Sequence, residues 1–149
     1  MSKTMSLRLT SAQLAAVEKW RRRFNQRSTS ATLQLLLEEK LREEEYSAIT
    51  FGDSAAGRQA YVIGTGLAVW EVMMVARAYD RDVRMTSEHL EVPERLIRAA
   101  LTYAADFPDE IGAELADNDD MNFEALRRIL PDLKLTAVPD LQPGTEPAP

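Results

Sequence analysis

Thr4, Ser6 and Arg8 stand at alternate positions, interleaved with Met5, Leu7 and Leu9. This two-residue period is that of a half-buried strand. One face is apolar, and the other presents two hydroxyls and a guanidinium. That polar set could do hydrogen-bonding chemistry on a flat polar edge, and arginine pairs with guanine through two parallel bonds. No other cluster has comparable spacing for chemistry. His89 is the single histidine, and no serine or acid lies at a spacing that marks a triad around it. Gly64-Thr65-Gly66 lacks the third glycine and the Gly-Lys-Ser/Thr run of a nucleotide loop. Asp117, Asp119 and Asp120 approximate a calcium loop, but the required glycine and terminal glutamate are out of place. Without cysteine there is neither a disulfide nor a thiolate metal site. Catalytic residues, metal ligands and cofactors are therefore all expected to be none.

Several elements must position the first strand. Thr10 and Gln13 have the spacing of a capping box, which starts a helix carrying Leu14, Val17, Trp20 and Phe24. Asn25-Gln26-Arg27 interrupts it. Ser28 then caps a second helix with an apolar stripe of Leu33, Leu36, Leu37 and Leu41, and Glu38 pairs with Arg42 on its outer face. A lone strand and two short helices cannot make a self-sufficient core. The simplest partner is the same strand of a second chain, paired about a two-fold axis. Such a ribbon would bury Met5, Leu7 and Leu9, present Thr4, Ser6 and Arg8 twice, and fit the major groove of DNA.

The overall charge of -6 opposes a nucleic-acid role until it is divided by segment. Residues 1–45 carry +3, and the first thirty alone carry +6. Residues 46–115 carry -5 and residues 116–149 carry -4. A basic head on an acidic body implies different partners for the two ends.

Residues 3–45 resemble the ribbon-helix-helix repressors of the Arc/MetJ type and the antitoxins built on that fold. The likeness rests on Met5-Ser6-Leu7-Arg8-Leu9-Thr10, the two helices, and Arg27-Ser28-Thr29-Ser30 opening the second. It implies base contacts by Thr4, Ser6 and Arg8. It also implies phosphate contacts by Lys3, Arg27, Ser28, Thr29 and Ser30, in keeping with the dipole of a helix N-terminus. Asn25-Gln26 stands where the family often has glycine, and asparagine tolerates the left-handed conformation. The same strand also fits an edge position in a mixed domain, with Arg21-Arg22-Arg23 a solvated helix face.

Further on, Ile49-Thr50-Phe51 and Tyr61-Val62-Ile63 flank a turn at Gly52–Gly57, predicting a hairpin. A helix follows with Val69, Val72, Met73, Ala76 and Tyr79 on one face. Thr86 is expected to cap a short helix, Ser87–Leu90, and Pro93 to open a longer one with Leu96, Ile97, Ala100, Leu101 and Ala104. Pro108 opens the next, with Ile111 and Leu115. Two helices across the turn Leu90-Glu91-Val92-Pro93 are similar to a helix-turn-helix. With Gly64-Thr65-Gly66-Leu67-Ala68-Val69 and Arg98-Ala99-Ala100-Leu101-Thr102-Tyr103-Ala104-Ala105, residues 47–115 resemble domain-of-unknown-function family 433, common among bacterial antitoxins. Gly66 stands where that family usually has arginine. Arg95 and Arg98 are the candidate second DNA contact. Glu91, Glu94 and the segment's negative charge speak equally for packing, dimerisation or protein binding.

Asp117–Asp120 reads as a solvated linker, and Asn122 as the cap of a short amphipathic helix with Phe123, Leu126, Leu130 and Leu133. The proline-rich residues 136–149 read as disordered. The apolar set docks either on its own domain or on a partner, which the antitoxin resemblance implies to be a toxin, a PIN-like ribonuclease.

The expected fold class is mainly α. It comprises a ribbon-helix-helix head forming an intertwined dimer (1–45), a small hairpin and helix-turn-helix domain (46–116), and an acidic, partly disordered tail (117–149). The expected function is a homodimeric, or higher even-numbered, transcriptional repressor of operator DNA, the antitoxin of a toxin–antitoxin pair. The alternative is a structural adaptor whose acidic middle assembles oligomers or docks another protein. No apolar run reaches the roughly 20 residues of a membrane span. No apolar leader opens the chain, so a cytoplasmic protein with no membrane partner is expected.

Overall fold

The computed structural model describes residues 3–129, with side chains through residue 119. The fold is mainly helical with one two-stranded antiparallel hairpin: α1 (Ser11–Arg23), α2 (Thr29–Glu45), β1 (Ile49–Ser54), β2 (Gly57–Val62), α3 (Val69–Ala78), α4 (Val83–Leu90), α5 (Glu94–Asp106) and α6 (Pro108–Ile129). Residues 1–115 form one compact unit, and the part of α6 from Ala116 belongs to a second.

Local chemistry sets the ends of the first two helices. The Gln13 amide donates to Thr10 Oγ1 at 3.2 Å and the Thr10 amide to Gln13 Oε1 at 2.9 Å, closing the capping box. Asn25 turns the corner in the left-handed region at φ 50°. Ser28 Oγ accepts from the Ala31 amide at 3.1 Å and caps α2. Residues 3–10 form no secondary structure within the single chain.

The hairpin differs in detail from its expected form. Ser54 pairs with Gly57, so the turn is only Ala55-Ala56, and Gly52 and Asp53 belong to β1 rather than to a long turn. The ring of Tyr61 explains Gly52 in a strand: a Cβ there would lie 3.1 Å from Tyr61 Cε2. Gly57 supplies the positive φ of 114° that the short turn demands.

The Glu71 carboxylate accepts from the Ala68 amide at 2.7 Å and closes the first turn of α3. The expected cap of α4 is corrected: Asp82, not Thr86, accepts from the Met85 amide, at 2.7 Å. Thr86 is buried inside the helix and donates its hydroxyl to the Asp82 carbonyl at 2.7 Å. Glu91 at φ 55° ends α4, and α5 begins right after Pro93. The expected Asp117–Asp120 linker lies within α6 instead, because neither glycine nor proline interrupts the chain between Gly112 and Pro131.

One buried cluster forms the core: Ile49, Ala60, Val62, Val69, Val72, Met73, Val92, Leu96, Ile97, Ala100, Tyr103, Ala104, Ile111 and Leu115. Every member comes from beyond α2. Among the described residues before β1, the buried side chains are Val17, Thr32 and Glu39.

Candidate nucleic-acid interface

The head leaves its apolar and its charged groups uncovered. Met5 is 82% exposed, Leu7 65%, Leu37 58% and Leu41 60%. These are two of the three residues expected to face inward in a ribbon, and half of the expected α2 stripe, and the hydrophobic effect disfavours leaving so many in water. Thr4, Ser6 and Arg8 are also exposed, next to Lys3. Lys3, Arg8, Lys19, Arg22 and Arg27 form no ion pair among the described residues.

At the start of α2 the expected phosphate set is divided. Ser28 is engaged as the cap. The Thr29 hydroxyl donates to Glu18 Oε1, and Arg21 Nε donates to Glu18 Oε2 at 2.8 Å. These bonds, that of Thr29 foremost, hold the Glu18 carboxyl below its ordinary pKa. Ser30 and Arg27 remain exposed, and the first amides of α2 have no acceptor within the helix.

Arg95 and Arg98 differ from each other. Arg98 is bound to Glu94 at 2.6 Å, whereas Arg95 is exposed, forms no ion pair among the described residues, and lines an open groove between Ile63–Leu67 and Leu90–Leu96. Phe123 and Leu126 fall on α6, where side chains lie outside the described residues, as Leu130 and Leu133 do altogether.

Two charged clusters, of which the sequence reading found only the Glu38–Arg42 pair, tie the head to the rest. In the first, Arg58 chelates Glu39 at 2.9 and 2.7 Å, reaches Asp53 at 3.0 Å and lies 4.6 Å from the Phe24 ring centroid. Asp53 also accepts from Arg23 Nε at 2.7 Å. Glu39 raises the Arg58 pKa most, with burial opposing it. The Asp53 carboxyl is lowered by Arg58 and then by Arg23. In the second, Arg42 donates to Glu110 at 2.6 Å and to the Tyr103 hydroxyl at 2.9 Å, pairs with Glu38, and stacks 4.0 Å from the Phe107 centroid. Burial pulls the Arg42 pKa down, but the bonds to Glu110 and Tyr103 more than reverse it. The one available signal was Thr32 and Glu39, at i and i+7 on the side of α2 roughly opposite Leu37 and Leu41.

His89 accepts or donates through Nδ1 to the Tyr79 hydroxyl at 2.9 Å, in an exposed setting. Among the described residues no group of three acidic or histidine side chains could hold a metal, and no helix is long and apolar enough to cross a membrane. No family model, no curated protein and no solved structure matches this chain.

Proposed function

We propose that this chain is a dimeric, sequence-specific DNA-binding repressor with a ribbon-helix-helix head. We read it further as the antitoxin of a type II toxin–antitoxin pair that represses its own operon, with a PIN-like ribonuclease as partner. Its work is binding, not catalysis, and a DNA target places it in the cytoplasm. The carrying observation is the uncovered state of the head. Met5, Leu7, Leu37 and Leu41, which a ribbon dimer would bury, are exposed, and five cations of the same segment have no carboxylate partner among the described residues. Dimerisation would cover the first set and double the second on one face, which is the electrostatic footprint of a phosphate binder.

The test is binding of the full chain to a double-stranded fragment flanking its own reading frame, alongside sedimentation. Arg8→Ala is expected to lose about 1–3 kcal/mol of specific affinity. Unchanged binding by that variant, or a well-folded monomer at micromolar concentration, would sink the ribbon. The toxin arm is tested by co-purification with the product of the adjacent reading frame.

The adaptor reading draws on Ile63, Met74 and Met85, which are exposed on the acidic middle of the chain. It predicts a shallow salt dependence of any DNA binding, where the repressor predicts a steep one.

A further inference from the structure

We propose that the β1–β2 hairpin clamps the α1–α2 corner, and that Arg58 is the positioning residue through which the middle of the chain sets the geometry of the DNA-reading head. The proposal rests on the reading of the head as a DNA binder.

Arg58 follows directly on the Ala55-Ala56 turn and Gly57. From there one guanidinium touches both helices of the head: the ring of Phe24, which is the C-cap of α1, and Glu39 in the middle of α2. Its neighbour Asp53 holds Arg23 from the last turn of α1. These bonds matter because the head has almost no core of its own. Val17 is its one buried apolar side chain among the described residues. A Glu39 that is only 8% exposed must keep a well-matched cation, since an unpaired buried charge is strongly unfavourable.

The corner held in this way is Phe24–Ser28. The strand segment with Thr4, Ser6 and Arg8 lies before α1, and Arg27 and the first turn of α2 lie just after the corner. A change of angle there misaligns base-reading groups against phosphate-reading ones. It does so without altering the charge that drives non-specific attraction.

Arg58→Lys is the decisive variant. It conserves net charge but loses the two-pronged grip on Glu39 and the planar stack on Phe24. The full chain is compared with Arg58→Lys and with Arg84→Lys, a control whose pair with Glu88 is exposed. Affinity is measured for the fragment flanking the reading frame and for unrelated duplex DNA. Trp20 emission is recorded in a Trp70→Phe background. Trp20 lies 5.0 Å from Phe24 and 4.8 Å from the Arg23 guanidinium, so it senses the corner.

Arg58→Lys is expected to weaken binding to the flanking fragment at least about fivefold, leave unrelated DNA unaffected and shift Trp20 emission, while Arg84→Lys does none of these. An equal loss on both DNAs, or unchanged affinity for the flanking fragment, overturns the positioning role. Unchanged emission overturns the clamp. If Arg58→Lys does not fold, Glu39→Gln carries the emission measurement. Should the wild-type chain bind neither DNA, the DNA reading falls, and shifted emission in Arg58→Lys still upholds the clamp.

Discussion

Arg42 and Tyr103, 61 residues apart in sequence, meet at 2.9 Å in a part-buried hydrogen bond. Tyr103 is fully buried in α5, and its hydroxyl passes the contact on to Glu110 at 2.8 Å. Arg42 completes the ring by donating to the same carboxylate at 2.6 Å. One guanidinium of α2 thereby joins α5 and the first turns of α6. The core itself ends at Ile49, so α2 is held to it by charge and aromatic contact more than by apolar packing.

Removing only the Tyr103 hydroxyl tests that joint. Tyr103→Phe keeps the ring and its edge contact with Tyr46 at 5.2 Å. It breaks two bonds to charged groups, with an expected cost of about 1–3 kcal/mol. Urea unfolding should give a lower midpoint with an unchanged slope. No loss of midpoint would mean that water replaces the hydroxyl at no cost.

Tyr46 supplies an alkaline signature. Its hydroxyl donates to Asp106 at 2.6 Å, and this bond first, then burial, pushes its pKa from 10.0 up to about 12. A folded pKa above the unfolded one stabilises the fold below about pH 10, and that contribution is lost as pH rises through about 12. Ultraviolet titration of the folded chain should show a tyrosine ionising near pH 12, absent in Tyr46→Phe. A Tyr46 that ionises near its ordinary value would refute the bond.

What the sequence made legible was local. The Thr10–Gln13 box, the Ser28 cap and the left-handed Asn25 each follow from residues within four positions. The stripes Val69–Ala76 and Leu96–Ala104 are buried as their helical period demands. The errors arose where two local signals competed. Asp82 and Thr86 are both good caps, and the earlier one took the helix. Gly52 and Gly57 both read as turn residues, but both belong to the strands: Gly57 supplies the positive φ next to the turn, while Gly52 makes room for an aromatic ring. The long-range ties of Arg42 and Arg58 left little trace, because Glu39, Tyr103 and Glu110 lie 19 to 68 residues from the arginines they bind and follow no period. The candidate site was legible as residue types at positions 3–30. That Glu18 takes the Thr29 hydroxyl emerges only once both helices are in place.

Salt dependence separates contacting from compensated arginines. Arg27 has no carboxylate partner among the described residues, whereas Arg98 is bound to Glu94. In the log–log plot of DNA affinity against salt, Arg27→Ala should reduce the slope by about one. Arg98→Ala should leave it unchanged. The reverse order would move the DNA interface from the head to α5.

The leucine face of α2 gives the sharpest test of the dimer. At about 100° per residue, Leu37 and Leu41 lie on the side of α2 roughly opposite Glu39, the residue that holds the hairpin. A second chain can therefore cover the leucines while the hairpin stays docked on the other side. If the proposed dimer forms, Leu37→Glu and Leu41→Glu should convert it to a monomer in sedimentation and abolish the proposed operator binding, because its two-fold axis would bring each new carboxylate towards its own copy. The helical signal in far-ultraviolet circular dichroism should persist, since both positions are more than half exposed in the single chain. A dimer that survives both substitutions would mean that another surface brings the chains together. The ribbon would then lose the partner strand it needs.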